Sequence, residues 1–397
     1  MWVKIGRDNA VEISNDVFDS ILRLYPEECL FDRPLLREAR DVGHISYSVL
    51  LGECESICLP WQIFFLNNVN LKKELDSIEL QRKDKFKNTS FAKRKGSGDV
   101  TSKRIIDRLI RLQAFVESDT RYTSNAFVAS FKGRTLIEQV GFISRHFEID
   151  IKKFRSKSKE DALEYLISQI TKKNINISRG VLKGGVLPES PTLIDVYKNT
   201  SGFVLQSEKV PYVFLPDEIN PDDVAGRRIY TLIYLLACIG LDQYDFYIES
   251  HHSASMLKRK GGIKNLHDIV TAFLLPFSVT DALRGKIITT TTRDNLANDY
   301  KLTPTAVLTT LLRRKIINLS VYNALLPPKY VKKPMPSKPM KRITPVNAAN
   351  KFCGNISTES INRSLRVKGI TNVPAQYLLF GRPRHKDFKS YCKANSL

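Results

Sequence analysis

The hydrophobic positions along this chain recur mostly at helical spacing. Residues 15–25 place their apolar side chains on one face of a helix, and Pro26 ends it. The same period predicts helices over residues 102–116, 136–147 and 159–171. The pattern therefore predicts a chain built largely from amphipathic helices.

Two short apolar runs interrupt this helical pattern. Residues 202–206 and 210–215 are separated by Ser-Glu-Lys, which predicts a β-hairpin, with Pro211 at the start of its strand or on a sheet edge. Residues 229–241 then form the longest apolar run of the chain. A helix needs about twenty residues to span a bilayer, so this run predicts a buried helix and no membrane partner.

A third pattern lies between residues 295 and 316. Thr303 offers a capping hydroxyl and is followed by proline, so a helix is expected to begin there. The sequence LAxxYxLTPxxVxxxL is typical of a helix-turn-helix-like unit. Arg313, Arg314 and Lys315 close its second helix, where they can contact phosphates. The alternative is that this unit only packs on the rest of its domain.

The charge balance adds a partner to this picture. The 397 residues include 62 Lys and Arg against 41 Asp and Glu, which gives a formal net charge of +21. Such an excess favours a polyanion, above all DNA, through neutralisation of phosphates. An acidic protein is the second candidate partner, and a solvated lysine-rich surface is the alternative without a partner.

Two tracts concentrate this positive charge. Residues 81–95 (QRKDKFKNTSFAKRK) carry seven cations and two phenylalanines, a mixture that suits a nucleic-acid strand. Lys93, Arg94 and Lys95 are the candidate contacts there, and a solvated linker is the alternative. Residues 151–159 (IKKFRSKSK) carry five cations and no acid.

Length and composition set the expected organisation. We expect a helical N-terminal domain with a basic linker over residues 1–120, a second domain over 121–330, and a basic, proline-rich linker with a tail over 331–397. Six cysteines occur without a C-x-x-C pair, and the N-terminus lacks the apolar core of a signal peptide. These features indicate reduced thiols and a cytoplasmic protein.

Three segments together match the order of a known family. Residues 228–232 (RIYTL), 274–276 (LLP) and 293–312 (RDNLANDYKLTPTAVLTTLL) follow the hairpin in turn. Residues 124–330 thereby resemble the ImmA/IrrE-like family of zincin-type metallopeptidases. The resemblance implies an α+β, mostly helical fold, with a zincin core of a small sheet and helices followed by the helix-turn-helix-like unit. Residues 44–66 resemble the degenerate XRE-type segment that precedes this domain in some members.

The groups that carry the family's chemistry are replaced in this chain. In H-E-x-x-H, two histidines one turn apart bind zinc, and the glutamate acts as the base on the metal-bound water. Tyr234, Leu235 and Cys238 stand at these three positions, and Ile263 stands at the third ligand position. The resemblance therefore implies a pseudoenzyme that holds neither a metal nor another cofactor.

Three functions follow from these patterns. The first is a non-catalytic regulator of a mobile element, a prophage or plasmid, that binds DNA, a protein partner or both through its basic surface. The second is a protein-recognition module in phage defence, anti-defence or toxin neutralisation. The third, an active metallopeptidase, requires a displaced metal site formed by Cys238, His267 and the pair His251 and His252.

Overall fold

The computed structural model describes residues 1–5, 9–23, 34–57, 61–85, 99–180, 202–216, 224–244, 246–247, 262–327, 344–381 and 384–397. The chain is α+β and mostly helical, as the sequence predicts. The described residues divide into two compact units, one within 1–120 and 357–397 and the other within 121–180 and 200–356. Within these ranges, no helix is long and apolar enough to cross a membrane.

The first unit contains a three-stranded sheet with the strand order β2-β1-β3. Strand β1 pairs antiparallel with β2 and parallel with β3. The elements before residue 120 are β1 (Trp2–Ile5), β2 (Asn9–Glu12), α1 (Asn15–Arg23), α2 (Pro34–Val42), β3 (His44–Ser46), α3 (Tyr47–Ile57), the 3-10 helix Trp61–Phe65, α4 (Asn68–Asp84) and α5 (Asp99–Glu117).

Helix α1 shows how the apolar pattern produces the core of this unit. Val17, Phe18 and Ile21 lie on the predicted face and are no more than 1% exposed. The Phe18 ring packs against the Phe64 ring at a centroid distance of 5.7 Å. The helical spacing of apolar residues is therefore confirmed as a buried stripe.

The second unit contains a four-stranded sheet with the order β4-β6-β5-β7. Its elements up to residue 327 are α6 (Leu136–His146), α7 (Ile151–Ser156), α8 (Lys159–Thr171), β4 (Asn176–Gly180), β5 (Gly202–Leu205), β6 (Tyr212–Pro216), α9 (Val224–Leu241), β7 (Phe246–Tyr247), α10 (Gly262–Leu274), α11 (Phe277–Asp281), α12 (Thr290–Asp299), α13 (Pro304–Arg313) and α14 (Leu319–Leu325).

The predicted hairpin is confirmed. Strands β5 and β6 pair antiparallel, with Phe203 opposite Phe214, and every residue of both strands is buried. Strand β6 also pairs with β4, so it lies inside the sheet. Pro211 directly precedes β6, and its carbonyl accepts a hydrogen bond from the Asn176 backbone N–H at 3.0 Å. The proline therefore lies at the start of its strand, one of the two places that the sequence predicts for it.

The long apolar run forms helix α9, which is covered on several sides. It packs on β5 and β6 and against helices α8 and α10. A methyl group at Gly240 would lie 2.6 Å from the Phe131 ring, so glycine permits this close approach. A helix enclosed in this way is apolar around its whole circumference, which explains the composition of the run.

The C-terminal residues assigned to a tail form helices where the structure describes them. These helices are α15 (Pro345–Arg366), α16 (Asn372–Phe380) and α17 (His385–Ala394). Residues up to Ile356 belong to the second unit and those from Ser357 to the first. The buried face of α15 includes Ser357, Ser360 and Cys353, all no more than 1% exposed. Small and polar residues at buried positions weaken the apolar period, so the sequence shows helical spacing only over residues 358–366 of this helix.

Candidate functional site

Three residues of helix α9, which the resemblance assigns to a zincin's metal and base positions, lie in the interior of the second unit. Tyr234, Leu235 and Cys238 are 7%, 0% and 2% exposed. A Cβ atom added to Gly202 on strand β5 would lie 3.0 Å from Cδ1 of Leu235 and 3.1 Å from Cγ2 of Thr231. Helix α9 thus approaches strand β5 closely at Leu235, whose side chain fills the contact.

A histidine on helix α10 is enclosed by the tyrosines of α9. His267 is 6% exposed, and its Nδ1 shares a hydrogen bond of 2.7 Å with the Tyr230 hydroxyl. The Tyr234 ring lies 5.1 Å from the imidazole between ring centroids. These contacts join two buried helices through polar groups. The sequence pattern does not predict that Tyr230 or Tyr234 contacts His267.

The described residues contain no group of three or more His, Cys, Asp and Glu side chains that could hold a metal ion. Cys238 and His267 lie on neighbouring helices, whereas His251 and His252 fall outside the described residues. Ile263 lies in the first turn of α10 and has no ligating side-chain atom. The described part of the proposed displaced site therefore consists of one thiol and one histidine.

The predicted start of the second helix in the 295–316 unit is confirmed. The Thr303 hydroxyl accepts the Ala306 backbone N–H at 3.1 Å, and Pro304 opens helix α13. Every residue from Pro304 to Arg313 is buried or half-buried. A helix that reads DNA presents an exposed face to the major groove, so this geometry favours the packing alternative for the unit.

The three cations that close this unit have different environments. Arg313 donates to the Asp268 carboxylate of α10 at 2.7 Å. Arg314 lies 4.0 Å above the Phe277 ring and donates to the Thr280 hydroxyl at 2.9 Å. Burial lowers the pKa of Arg314 to about 10. Lys315 follows the helix with a φ of 56° and is exposed. Two of the three predicted phosphate contacts are thus engaged inside the second unit.

The basic tract 151–159 gains aromatic partners that the sequence pattern does not show. The Lys153 and Lys157 ammonium groups lie 5.6 and 5.8 Å from the centroid of the Tyr165 ring. The Arg155 guanidinium lies 4.7 Å from the centroid of the Tyr300 ring. Tyr300 is far away in sequence, so only the folded chain brings it to this tract. We call this set of residues, 151–159 with Tyr165 and Tyr300, the α7 basic surface.

The other predicted nucleic-acid contacts, Lys93, Arg94 and Lys95, lie outside the described residues. Among the described residues, the α7 basic surface combines a run of five cations with two aromatic rings. Comparison of the chain with protein-family models, with curated proteins and with solved structures gives no match.

Proposed function

We propose that this protein binds nucleic acid through the α7 basic surface and catalyses no reaction. The observation that carries the proposal is the placement of Lys153, Lys157 and Arg155 against two tyrosine rings. The resemblance to the ImmA/IrrE-like family adds a regulatory role in a prophage or plasmid to this proposal.

The chemistry of this surface suits a phosphate backbone. Helix α7 is short, so its cations are close together, and Lys152 and Lys153 are both exposed. Cations over aromatic faces are held in place by attraction to the ring, which lowers the entropy lost when they meet a ligand.

The packing of α9 supports the non-catalytic part of the proposal. Leu235, which the resemblance assigns to the position of the general base, is completely buried against the sheet. A catalytic base must reach a metal-bound water, and a leucine enclosed by other side chains offers neither a basic atom nor room for that water.

Binding of fluorescent single-stranded and duplex DNA, measured by anisotropy between about 50 and 200 mM salt, tests the proposal. The variant K152Q/K153Q/K157Q removes three charges from the α7 basic surface. The control K386Q/K389Q/K393Q removes three charges from exposed positions on helix α17. Each lost phosphate contact lowers the slope of log affinity against log salt by about 0.7–0.9. The α7 variant should therefore lose roughly 2–3 from this slope, and the control should lose none.

Three results would contradict this assignment. Absence of binding at the lowest salt would remove nucleic acid as the partner. Equal weakening by both variants would show that overall charge, and not this surface, determines binding. A variant K315Q that weakens binding more than the α7 variant would move the interface to the 295–316 unit.

A further inference from the structure

The first unit contains a cavity of about 270 Å³ between helices α5 and α16. Its walls include two arginines and two aromatic rings, contributed by Arg108, Arg111, Phe115 and Tyr377. Ligand pockets commonly measure about 300–1,000 Å³, so this cavity suits a small ligand. The α7 basic surface uses residues of the second unit, so a ligand here is independent of the proposed function.

The spacing of residues along the two helices produces these walls. Arg108, Arg111 and Phe115 recur at intervals of three and four, so they share one face of α5. Pro374 and Tyr377 are three apart on α16 and share a face in the same way. Each helix thus contributes one stripe to the cavity, α5 bringing both cations and α16 mainly apolar surface.

The end of α16 positions the first arginine. Gly381 ends the helix with a φ of 74°, and its N–H donates to the Tyr377 carbonyl at 2.8 Å. Arg108 donates to the Leu379 carbonyl, one of the last carbonyls of the helix. The final carbonyls of a helix have no intrahelical partner and carry partial negative charge, so they hold a guanidinium in a defined orientation.

The second arginine has a different environment. Arg111 lies one turn along α5 from Arg108, and its side chain is exposed. A guanidinium presents a planar fork of N–H donors that matches two oxygens of a phosphate. Phe115 follows one turn further along and brings an aromatic face to the same cavity.

We propose that this cavity binds a nucleoside phosphate, with the phosphate at Arg111 and the base against the Phe115 and Tyr377 rings. The ligand combines a doubly charged anion with a flat aromatic group, and the cavity offers donors for the first and ring faces for the second. The same chemistry is available from a free mononucleotide and from the phosphorylated end of a nucleic-acid strand.

Isothermal titration calorimetry on the full chain tests this site with adenosine 5′-monophosphate, adenosine and a 5′-phosphorylated dinucleotide. The monophosphate should bind more tightly than adenosine. R111Q should weaken monophosphate binding about tenfold or more and remove its advantage over adenosine, because a charge-assisted hydrogen bond is lost. F115L should weaken both ligands, because both stack a base. Tighter binding of the dinucleotide would identify a strand end as the source, and tighter binding of the monophosphate a free nucleotide.

A matched control separates a specific site from a general charge effect. Arg40 is another exposed arginine of the first unit that does not line the cavity, so R40Q should leave affinity unchanged. Thermal unfolding of both variants checks that each is folded. The proposal is overturned if neither phosphorylated ligand binds at about 1 mM, or if R111Q and R40Q behave alike. Binding of an acidic aromatic dipeptide without binding of the monophosphate would also overturn it.

Discussion

Replacing Leu235 by glutamate places a carboxylate where the resemblance assigns a zincin base, and the structure predicts that this change destabilises the protein. Leu235 is 0% exposed, and its Cδ1 lies 3.0 Å from the position of a Cβ atom at Gly202. A catalytic cleft would hydrate the new carboxylate. A packed interior provides neither water nor a cation for it.

The size of this destabilisation is the sum of two contributions. Removing a buried leucine forfeits about 1.5–3 kcal/mol of transfer free energy. Leaving a buried polar group without a partner costs about 1–3 kcal/mol more. We therefore expect L235E to lower the free energy of unfolding by about 2.5–6 kcal/mol, a large part of the usual 5–15 kcal/mol.

The buried carboxyl group should also leave a pH signature. Burial favours the protonated form, so the pKa of the new glutamate is raised in the folded state above its unfolded value of about 4.3. The unfolded state then releases its proton first as pH rises, and the stability of L235E should fall as pH increases above about 4.3. A glutamate in a hydrated cleft would show little of this dependence.

Urea denaturation followed by circular dichroism measures these effects. L319E is the matched control, because Leu319 is 49% exposed at the first residue of helix α14, where a carboxylate is compatible with the helix dipole. The control should change stability by no more than about 0.5 kcal/mol. If L235E loses less than about 1 kcal/mol and behaves like the control, the position is not packed core, and the argument against a catalytic cleft fails.

Three further substitutions test other parts of the second unit. G354A should cost about 2–4 kcal/mol, because Gly354 has a φ of 75° and an added methyl would lie 2.6 Å from a backbone oxygen. Gly285 also has a φ of 74°, but an added methyl group would meet open space, so G285A should lower the free energy of unfolding by only about 1 kcal/mol. Equal losses of unfolding free energy in the two variants would contradict the packing argument. Burial, aided by a neighbouring lysine, lowers the pKa of His146 below its usual 6.5 in the folded state. As pH drops, the unfolded state therefore binds the proton first, and the free energy of unfolding falls as pH drops through about 6.5. H146Q should weaken that dependence in denaturation curves at pH 7.5 and about 5.5, and an unchanged dependence would refute it. R314Q should lower the free energy of unfolding by about 1–3 kcal/mol, because it removes the contact with Phe277 and a hydrogen bond. If R314Q is destabilised no more than K315Q, Arg314 does not stabilise the fold.

The local elements of this protein follow closely from its sequence. Helix α8 covers Lys159–Thr171 as the periodicity predicts, and α13 begins at the predicted cap, Thr303. The hairpin of β5 and β6 follows from two apolar runs with a short polar connection. Such features depend on the spacing of apolar residues and on the residue that caps a helix. Both are properties of a few consecutive residues, so a short segment of sequence is enough to predict them.

The candidate site depended more on distant parts of the chain. The sequence pattern predicts that Arg313 and Arg314 contact phosphate. In the folded chain, Arg313 binds Asp268 and Arg314 packs on Phe277 instead. These partners precede them by more than thirty residues, and no local pattern records the pairing. A cation's availability to a ligand is therefore decided by the side chains that tertiary packing places beside it.

What the sequence by itself determined is the excess of positive charge, the order of helices and strands, and the presence of Tyr234, Leu235 and Cys238, which the resemblance treats as replacements of two zincin ligands and the base. Only the tertiary structure decided that these replacements are buried, that Arg155 lies over Tyr300, and that α5 and α16 enclose a cavity. The physical reason is the range of the interactions. Hydrogen-bonded secondary structure satisfies groups a few residues apart, whereas burial and cation–ring contacts join residues from segments that only the packed core brings together.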